Sequence, residues 1–417
     1  MKIAVIGGGI AGLTAAWLLG RQHQVTLYER QARPGFVASS VAVPGLGAGT
    51  RVDVPLRVFY AGYYPTLVRL YKQLGVDTEP VSYATSFMGD EGRLFFRWRN
   101  LLWAGRSLGY VLPQDLAGAR ARRIVAGLLR FYREARAALL QGELAQLSIG
   151  DYVAAQRYSA DFVDGFLLPA IATVCTCSYS AARAFPAAVI VDYLARGLAR
   201  ESVRRARHGA DDVAQKLLAG IAELHCDAAV RGVRRVPEGV QVALADGNSA
   251  RYDHVVLAAQ ANQSRAMWLD ATPHEAGVLD AFRYQPVSVV MHTDLRLMPQ
   301  RRADWSPVNA LVSPQHEHPM STIWVNAVQP ALRHAPALFQ TVHPVRPPRE
   351  ECVIARAQFE RPLVDAATAQ ALQRLGQMHT EPGRRVWLCG SYAQPGIPLL
   401  ESAVASAYAA AAALNKA

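Results

Sequence analysis

Residues 2–35, KIAVIGGGIAGLTAAWLLGRQHQVTLYERQARPG, decide the fold of this 417-residue chain. They contain a short apolar strand, a glycine-rich turn, a helix with apolar periodicity, and a second strand that ends at Glu29. A strand–helix–strand unit of this length, about thirty residues, places its two strands side by side in parallel. The stretch therefore predicts a Rossmann-like α/β fold.

The turn matches the pattern GxGxxG with Gly7, Gly9 and Gly12. The first glycine permits the tight turn, the second lets the backbone approach a pyrophosphate, and the third lets the helix pack closely against the strand. Free N–H groups at the start of the helix, at Ile10 and Ala11, would face the anion. The pattern follows a strand and precedes a helix, which favours a dinucleotide site over an empty turn.

Glu29 closes the second strand 22 residues after the first glycine of the turn. A carboxylate there is expected to accept hydrogen bonds from ribose hydroxyls, which favours FAD or NAD over a 2′-phosphorylated cofactor. The run ERQARPG at residues 29–35 resembles the Glu, then Arg-x-Gly-Gly, signature of flavoproteins related to amine oxidases. The resemblance implies that Arg30, Arg33 and Gly35 extend the pyrophosphate site, with a hydroxyl supplied by Ser40.

The resemblance continues along nearly the whole chain, through AFRYQP at 281–286, HTD at 292–294, LMP at 297–299, WVN at 324–326 and WLCG at 387–390. In this order the segments resemble a bacterial family of predicted NAD/FAD-binding, amine-oxidase-like proteins, whose plant relatives are fused to cyclopropane fatty acid synthases. The resemblance implies FAD as the cofactor. The further cofactor-binding residues it implies are Leu56, Val230 at the adenine, and Gly390, Ser391 and Val404 on the flavin side.

The run DVPLRVFY at residues 53–60 departs from that family where the flavin ring is expected. We expect Arg57 to stabilise the anionic reduced ring, and Tyr60 to supply a base or an orienting hydrogen bond. Tyr392 is a further candidate, as a residue lining the substrate pocket. Aromatic packing at a domain interface is the alternative for the tyrosines that follow Tyr60.

Dinucleotide-binding patterns occur at both ends of the chain and in its middle. We therefore predict a discontinuous FAD-binding domain of residues 1–65, 205–265 and 380–417, and an inserted α+β substrate domain of residues 66–204 and 266–379. Residues 65–150 are predicted to be helical, helices are predicted to continue over residues 149–198, and another helix is predicted over residues 211–224.

The chain carries a formal charge of +11, and ten arginines lie between Arg93 and Arg136 against only Asp115 and Glu134. This basic, aromatic-rich segment predicts contact with an anionic lipid surface or with an acidic substrate, or else an ordinary solvated face. We expect no nucleic-acid partner, because no nucleic-acid-binding fold accompanies the charge. The five cysteines, an odd number, fit a reducing compartment. We expect a cytoplasmic protein without a metal site, peripheral on the inner membrane face if lipid is the partner.

These patterns favour an FAD-dependent oxidoreductase that dehydrogenates or desaturates a lipid acyl chain. The lipid substrate follows from the family's association with lipid-modifying enzymes. Two alternatives stay open: oxidation of a small amine, and a flavin-dependent isomerase or binding protein without net redox turnover.

Overall fold

The computed structural model describes residues 1–36, 40–43, 45, 50–103, 105–196 and 201–416. The strands in chain order are β1 (Lys2–Ile6), β2 (Gln24–Tyr28), β3 (Ser40–Ala42), β4 (Arg51–Asp53), β5 (Thr78–Pro80), β6 (Thr85–Met88), β7 (Leu94–Trp103), β8 (Arg106–Tyr110), β9 (Arg204–Ala206), β10 (Glu223–His225), β11 (Val230–Val236), β12 (Gly239–Leu244), β13 (Ser249–Tyr252), β14 (His254–Leu257), β15 (Tyr284–His292), β16 (Val308–Leu311), β17 (Met320–Trp324), β18 (Phe339–Val342), β19 (Val353–Pro362) and β20 (Val386–Leu388).

The helices follow the same numbering: α1 (Ile10–Leu19), α2 (Pro65–Leu74), α3 (Ala119–Leu140), α4 (Ile149–Ala155), α5 (Ala160–Phe162), α6 (Leu168–Cys175), α7 (Tyr179–Ala184), α8 (Ala187–Ala195), α9 (Gly209–Leu218), α10 (Ala261–Met267), α11 (Pro273–Asp280), α12 (Val325–Val328), α13 (Ala366–Met378) and α14 (Leu400–Leu414).

A parallel sheet in the order β10-β2-β1-β14-β20 forms one half of the structure. Its strands come from the start, the middle and the end of the chain. Alternate residues of β1 face two different cores, as the twofold repeat of a strand requires. Ile3 and Val5 pack towards α1 and α14, whereas Ala4 and Ile6 pack towards the antiparallel sheet β11-β12-β13.

The second half contains an eight-stranded sheet in the order β19-β15-β18-β17-β16-β6-β7-β8. Only the contact between β16 and β6 is parallel among its neighbouring pairs, and it joins segments more than two hundred residues apart. This sheet corrects the prediction that residues 65–150 are helical, because residues 78–110 contain β5 to β8. The predicted helix 211–224 is also too long, since α9 ends at Leu218 and β10 begins at Glu223.

Helices α3 to α8 form a separate layer whose buried side chains join the core around α1 and α14. Phe131 of α3 contacts Phe162 with ring centroids 5.8 Å apart, and Tyr152 of α4 at 6.1 Å. The helices that the sequence predicted from residue 149 onward are present, as α4 to α8. Among the described ranges, no helix combines the length and apolarity needed to cross a bilayer.

His292, at the end of β15, is fully buried and has both ring nitrogens engaged. Its Nδ1 accepts a hydrogen bond from the Asp294 N–H at 3.1 Å, so its Nε2 carries the proton and lies 2.7 Å from the Thr341 hydroxyl. The ring is therefore neutral, because protonation of Nδ1 would remove that acceptor. Burial lowers the pKa of His292 to about 4.

We predict that the free energy of unfolding falls as the pH is lowered from about 6.5 to 4, at most about 1.4 kcal/mol per unit of pKa shift. Folding lowers the pKa of His292 and so favours the neutral ring. The stabilisation from this shift is complete above the pKa of the unfolded state, and it is lost as the pH falls towards the pKa of the folded state. His292→Gln keeps a donor and an acceptor and should reduce this loss in urea titrations. The exposed His316→Gln is the control, and equal pH slopes in all three proteins would contradict the assignment.

Candidate functional site

The three motif glycines have three different surroundings. Gly7 has a φ of +108°, and a Cβ atom there would lie 3.1 Å from the Ala258 backbone. A Cβ atom on Gly12 would lie 1.9 Å from the Gly7 carbonyl oxygen, so α1 contacts the end of β1 with no room for a side chain. A Cβ atom on Gly9 would meet nothing within 4 Å. Gly9 therefore borders open space, as expected of the glycine that faces a pyrophosphate.

The start of α1 presents buried N–H groups without acceptors. The first hydrogen bond of the helix runs from the Leu13 N–H to the Gly9 carbonyl at 2.9 Å, and no side chain caps the helix. The N–H groups of Ile10, Ala11 and Gly12 have no hydrogen-bond partner among the described residues. Buried N–H groups are almost always paired, and a helix N-terminus carries partial positive charge. The turn therefore fits a bound pyrophosphate.

Glu29 lies at the end of β2 and is 6% exposed. Its Oε2 accepts hydrogen bonds from the N–H of Gly8 at 2.8 Å and of Gly35 at 3.2 Å, and its Oε1 accepts one from the N–H of Gln31 at 2.9 Å. A carboxylate has about four acceptor positions, so one at Oε1 remains for a ribose hydroxyl. The side chain thus fixes the glycine turn in addition to its predicted contact with the ribose.

Arg33 and Ser40 do not point freely into the site, because both contact Asp211 of α9. Arg33 forms an ion pair with Asp211, and the Ser40 hydroxyl donates to Asp211 at 3.1 Å. The guanidinium of Arg51 lies 3.2 Å from the same carboxylate. Arg30 is exposed and makes no hydrogen bond with the described residues. Sequence reasoning missed Asp211, which holds the loop after β2 through contacts between distant segments.

The residues predicted to contact the adenine and those predicted to contact the flavin lie at opposite ends of the same edge of the parallel sheet. Val230 begins β11, and the nearby Ala228 N–H bonds the Glu29 carbonyl at 2.9 Å. Gly390 follows β20 and donates its N–H to the Ser406 hydroxyl at 2.9 Å, while Ser391 comes next and is partly exposed. Val404 has no exposed surface, because its side chain packs into the core beside α1.

Helix α14 begins like α1, with no side-chain cap at Leu399. Its first hydrogen bond runs from the Ala403 N–H to the Leu399 carbonyl at 3.2 Å, which leaves the N–H groups of the first turn without partners in the described part of the chain. Glu401 of that turn is not available to them, because it accepts from the N–H of Thr66 at 3.0 Å and of Leu67 at 2.9 Å. A second open helix N-terminus therefore lies beside the first.

Arg57 lies next to the glycine turn. Its Nη2 donates to the Phe36 carbonyl at 2.7 Å, and the Phe36 N–H in turn bonds the Gly8 carbonyl at 3.0 Å. Its Nη1 is buried, has no hydrogen-bond partner among the described residues, and lies 3.8 Å from an oxygen of Asp53. The neighbouring Leu56 uses its N–H to bond the Gln340 side chain at 3.1 Å. Of the three catalytic candidates, Arg57 is the one that lies beside the glycine turn, and its charged guanidinium suits the predicted role.

Tyr60 and Tyr392 are packed inside the protein. The Tyr60 hydroxyl donates to the Tyr193 carbonyl, and burial raises the pKa of Tyr60 far above its ordinary value. Tyr392 is 4% exposed and contacts Phe282 with ring centroids 4.9 Å apart, on the side of the sheet that faces β11 to β13. The structure therefore does not bring these two hydroxyls together with Arg57.

Arg361 on β19 is a residue that sequence reasoning missed. Ala355, Ala357 and Phe359 occupy the inward-facing positions of β19, and Arg361 continues the same alternation. An arginine at an inward position of a strand was the available signal, because charged side chains are rarely buried without a role. Its Nε donates to the Thr176 hydroxyl at 3.1 Å. Burial lowers the pKa of Arg361, and the positive charge of Arg57 acts in the same direction.

Comparison with known proteins gives two sequence matches. The model of the NAD(P)-binding Rossmann-like domain matches residues 5–74. A D-amino acid dehydrogenase of Dechloromonas aromatica (strain RCB) is 30% identical over 151 residues, which cover 34% of this chain and 30% of that protein. The match thus spans less than a third of the dehydrogenase.

Solved structures match the whole chain. Putrescine oxidase bound to putrescine superposes with a TM-score of 0.68 at 14% identity, over 100% of both chains. A CLA-producing fatty acid isomerase from P. acnes gives 0.67 at 15% identity, over 98% of this chain and 97% of the isomerase. Cyclohexylamine oxidase from Brevibacterium oxydans IH-35A gives 0.66 at 15% identity, over 100% and 98%.

The opening strand, turn and helix define a Rossmann-type dinucleotide-binding fold. More narrowly, the complete chain has the fold of the FAD-dependent amine oxidases. The fold class predicted from the sequence is confirmed, and at the level of fold so is the amine-oxidase-like resemblance.

We predict that Glu29→Gln lowers the free energy of unfolding of the cofactor-free protein by about 1–3 kcal/mol, because an amide NH₂ would face backbone N–H groups in a buried position. Urea unfolding of both proteins measures the difference. The 83% exposed Glu238→Gln is the control and should leave stability unchanged. A Glu29 variant as stable as the wild type would show that these hydrogen bonds are not what holds the turn.

Proposed function

We propose that the protein binds FAD and is an FAD-dependent oxidoreductase. The observation that carries the proposal is the set of buried N–H groups at the start of α1 beside the open space at Gly9. Glu29 would hold the ribose, Val230 the adenine, and the first turn of α14 the flavin end. Bound flavin supplies hydride acceptance at N5, while the protein orients the substrate. The dehydrogenase and the two amine oxidases to which the chain is similar support redox chemistry.

Within this class we propose that the substrate is a lipid acyl chain, which the protein dehydrogenates or desaturates. The similarity in fold to a fatty acid isomerase supports a fatty-acid substrate. The small-amine alternative calls for aromatic rings that enclose the amine. Tyr63 and Tyr193 instead contact each other edge to face, with centroids 4.7 Å apart, and Tyr60 and Tyr64 do so at 5.8 Å. Rings in mutual contact leave no slot for an amine between them.

An exposed apolar surface supports access to lipid. Leu101 faces Leu108 across the β7–β8 hairpin, and Trp103 and Tyr110 lie on the same face of the ribbon. These four residues, which we call the hairpin patch, are exposed by 57%, 64%, 76% and 42% respectively. Leu102 is 37% exposed on the reverse face. Leucines with Trp and Tyr at a projecting edge match the composition of interfacial membrane anchors.

The arginines near the patch do not all contribute to its charge. Arg97 is 6% exposed and, with Arg99, forms ion pairs with Asp115, so this pair is a structural part of the hairpin base. Arg106 at the tip is exposed. We therefore propose apolar insertion of the hairpin patch into an anionic membrane surface, with Arg106 as the salt-sensitive part.

We predict that purified wild-type protein is yellow and releases FAD on denaturation, and that Gly9→Val folds but loses FAD, since a side chain there would fill pyrophosphate space. Absorbance at the flavin bands and circular dichroism report the two properties. Gly277→Val is the matched control, because a Cβ atom there also meets nothing within 4 Å but lies on an exposed helix. A wild-type protein that cannot be loaded with FAD would refute the proposal.

We predict that anionic liposomes sediment the protein, and that the double variant Trp103→Ser, Leu108→Ser binds at least tenfold more weakly, about 1.4 kcal/mol. Raised salt should weaken wild-type binding only in part, because the apolar contribution is not screened. Leu269→Ser is the control, as Leu269 is 65% exposed outside the hairpin. Equal binding of the double variant and the control would rule out the hairpin patch as the anchor.

A further inference from the structure

The guanidinium of Arg361 is positively charged, and no described carboxylate forms an ion pair with it. Within the described part of the chain, its one hydrogen bond is that from Nε to Thr176. The residue is half-buried, and its guanidinium lies over the Phe359 ring, 5.2 Å from the ring centroid. Charged groups taken out of water are stable only when paired. The free edge of this guanidinium is therefore positioned for an anion that the described residues do not supply.

Thr176 holds Arg361 in place from the end of α6. Its φ of +49° is a left-handed conformation that is uncommon for threonine, and its carbonyl accepts a hydrogen bond from the Gln285 side chain at 3.2 Å. Gln285 of β15 lies directly opposite Arg361 of β19 in the sheet register. The hydroxyl that orients the guanidinium is thus fixed by the neighbouring strand, so the donor direction of Arg361 is set before a ligand arrives.

Arg57 provides a second guanidinium with an unused donor. Its Nη1 is buried, and no residue in the described part of the chain accepts a hydrogen bond from it. The carboxylate closest to that atom, on Asp53, lies 3.8 Å away and already accepts from the Ala210 N–H at 3.0 Å. Leu56, which precedes Arg57, and Phe359, which lies two residues before Arg361 on the same face of β19, pack against one apolar cluster, so the two arginines flank that cluster. Burial lowers the pKa of Arg361, and the charge of Arg57 acts in the same direction. Among the described residues, Arg57 has only this distant carboxylate and Arg361 has none in an ion pair, so the two guanidiniums keep a net positive charge.

We propose that Arg57 and Arg361 form the binding site for the carboxylate of an acidic substrate. This proposal rests on the proposed oxidoreductase function and specifies its substrate class. Guanidinium and carboxylate groups match in geometry and form charge-assisted hydrogen bonds, which are about twice as strong as neutral ones. Two consecutive hydrogen bonds, through Phe36, link Arg57 to the glycine turn. The carboxylate therefore binds on the side of the substrate site that faces the cofactor.

The site selects against a simple ammonium substrate, because a cation would face two positive charges. A fatty acid and an amino acid both offer the required carboxylate. They differ in the remainder of the molecule, which is a long apolar chain in one and a short, zwitterionic group in the other. The shared element of recognition is the carboxylate.

The test is isothermal titration calorimetry of the full-length protein with decanoate, decylamine and D-alanine, with FAD content measured separately on each preparation. We expect decanoate to bind, decylamine to bind at least tenfold more weakly, and Arg361→Gln to weaken decanoate binding tenfold or more. Arg361→Lys keeps the charge and should recover part of that loss. The control is Arg356→Gln, an arginine of the same strand that is 46% exposed and pairs with Glu350.

Equal affinity of wild type and Arg361→Gln for decanoate, or preference for decylamine, would overturn the proposal. So would binding of neither carboxylate by the wild type. Binding of D-alanine in place of decanoate supports the arginine pair and assigns the carboxylate to an amino acid. Because heat is measured without reference to the flavin, a preparation that lacks FAD yet binds decanoate through Arg361 refutes the proposed redox function alone.

Discussion

The contact between Gly12 and Gly7 is the constraint on which the cofactor site depends. With 1.9 Å between a notional Cβ atom of Gly12 and the Gly7 oxygen, helix α1 can lie against the end of β1 only if residue 12 has no side chain. That contact sets where the first turn of α1 points. The open N–H groups, the hydrogen bonds of Glu29 to the turn and the position of Phe36 all follow from it.

A buried polar side chain joins the end of β4 and the residues that follow it to the eight-stranded sheet. Gln340 of β18 is fully buried, accepts from the Leu56 N–H at 3.1 Å and donates to the Asp53 carbonyl at 2.7 Å. The residue thus fixes the segment that carries Arg57 against the eight-stranded sheet. Because Arg361 belongs to an outer strand of that sheet, the relative position of the two guanidiniums is determined by backbone contacts and not by flexible side chains alone.

The sequence was sufficient for features that local rules control. The glycine turn, β1, α1, β2 and the late strands β11, β12, β14 and β20 all correspond to periodic or motif-bearing segments. It was insufficient where pairing is between distant segments. Strands β6 to β8 are stabilised by β16, far along the chain, so their local composition gave no decisive signal. The same applies to the site: Arg57 was found beside a motif, whereas Arg361 and Asp211 acquire their importance only through the fold.

The N–H groups at the start of α1, which no described residue pairs, affect the stability of the protein as well as its recognition of a cofactor. Without a ligand no described residue satisfies these buried donors, which makes the empty protein less stable than its contacts alone would allow. A pyrophosphate that satisfies them binds the native state and not the unfolded chain, so loading and folding are thermodynamically linked. Cofactor loading is therefore expected to raise the free energy of unfolding and, with it, the resistance of the protein to proteolysis.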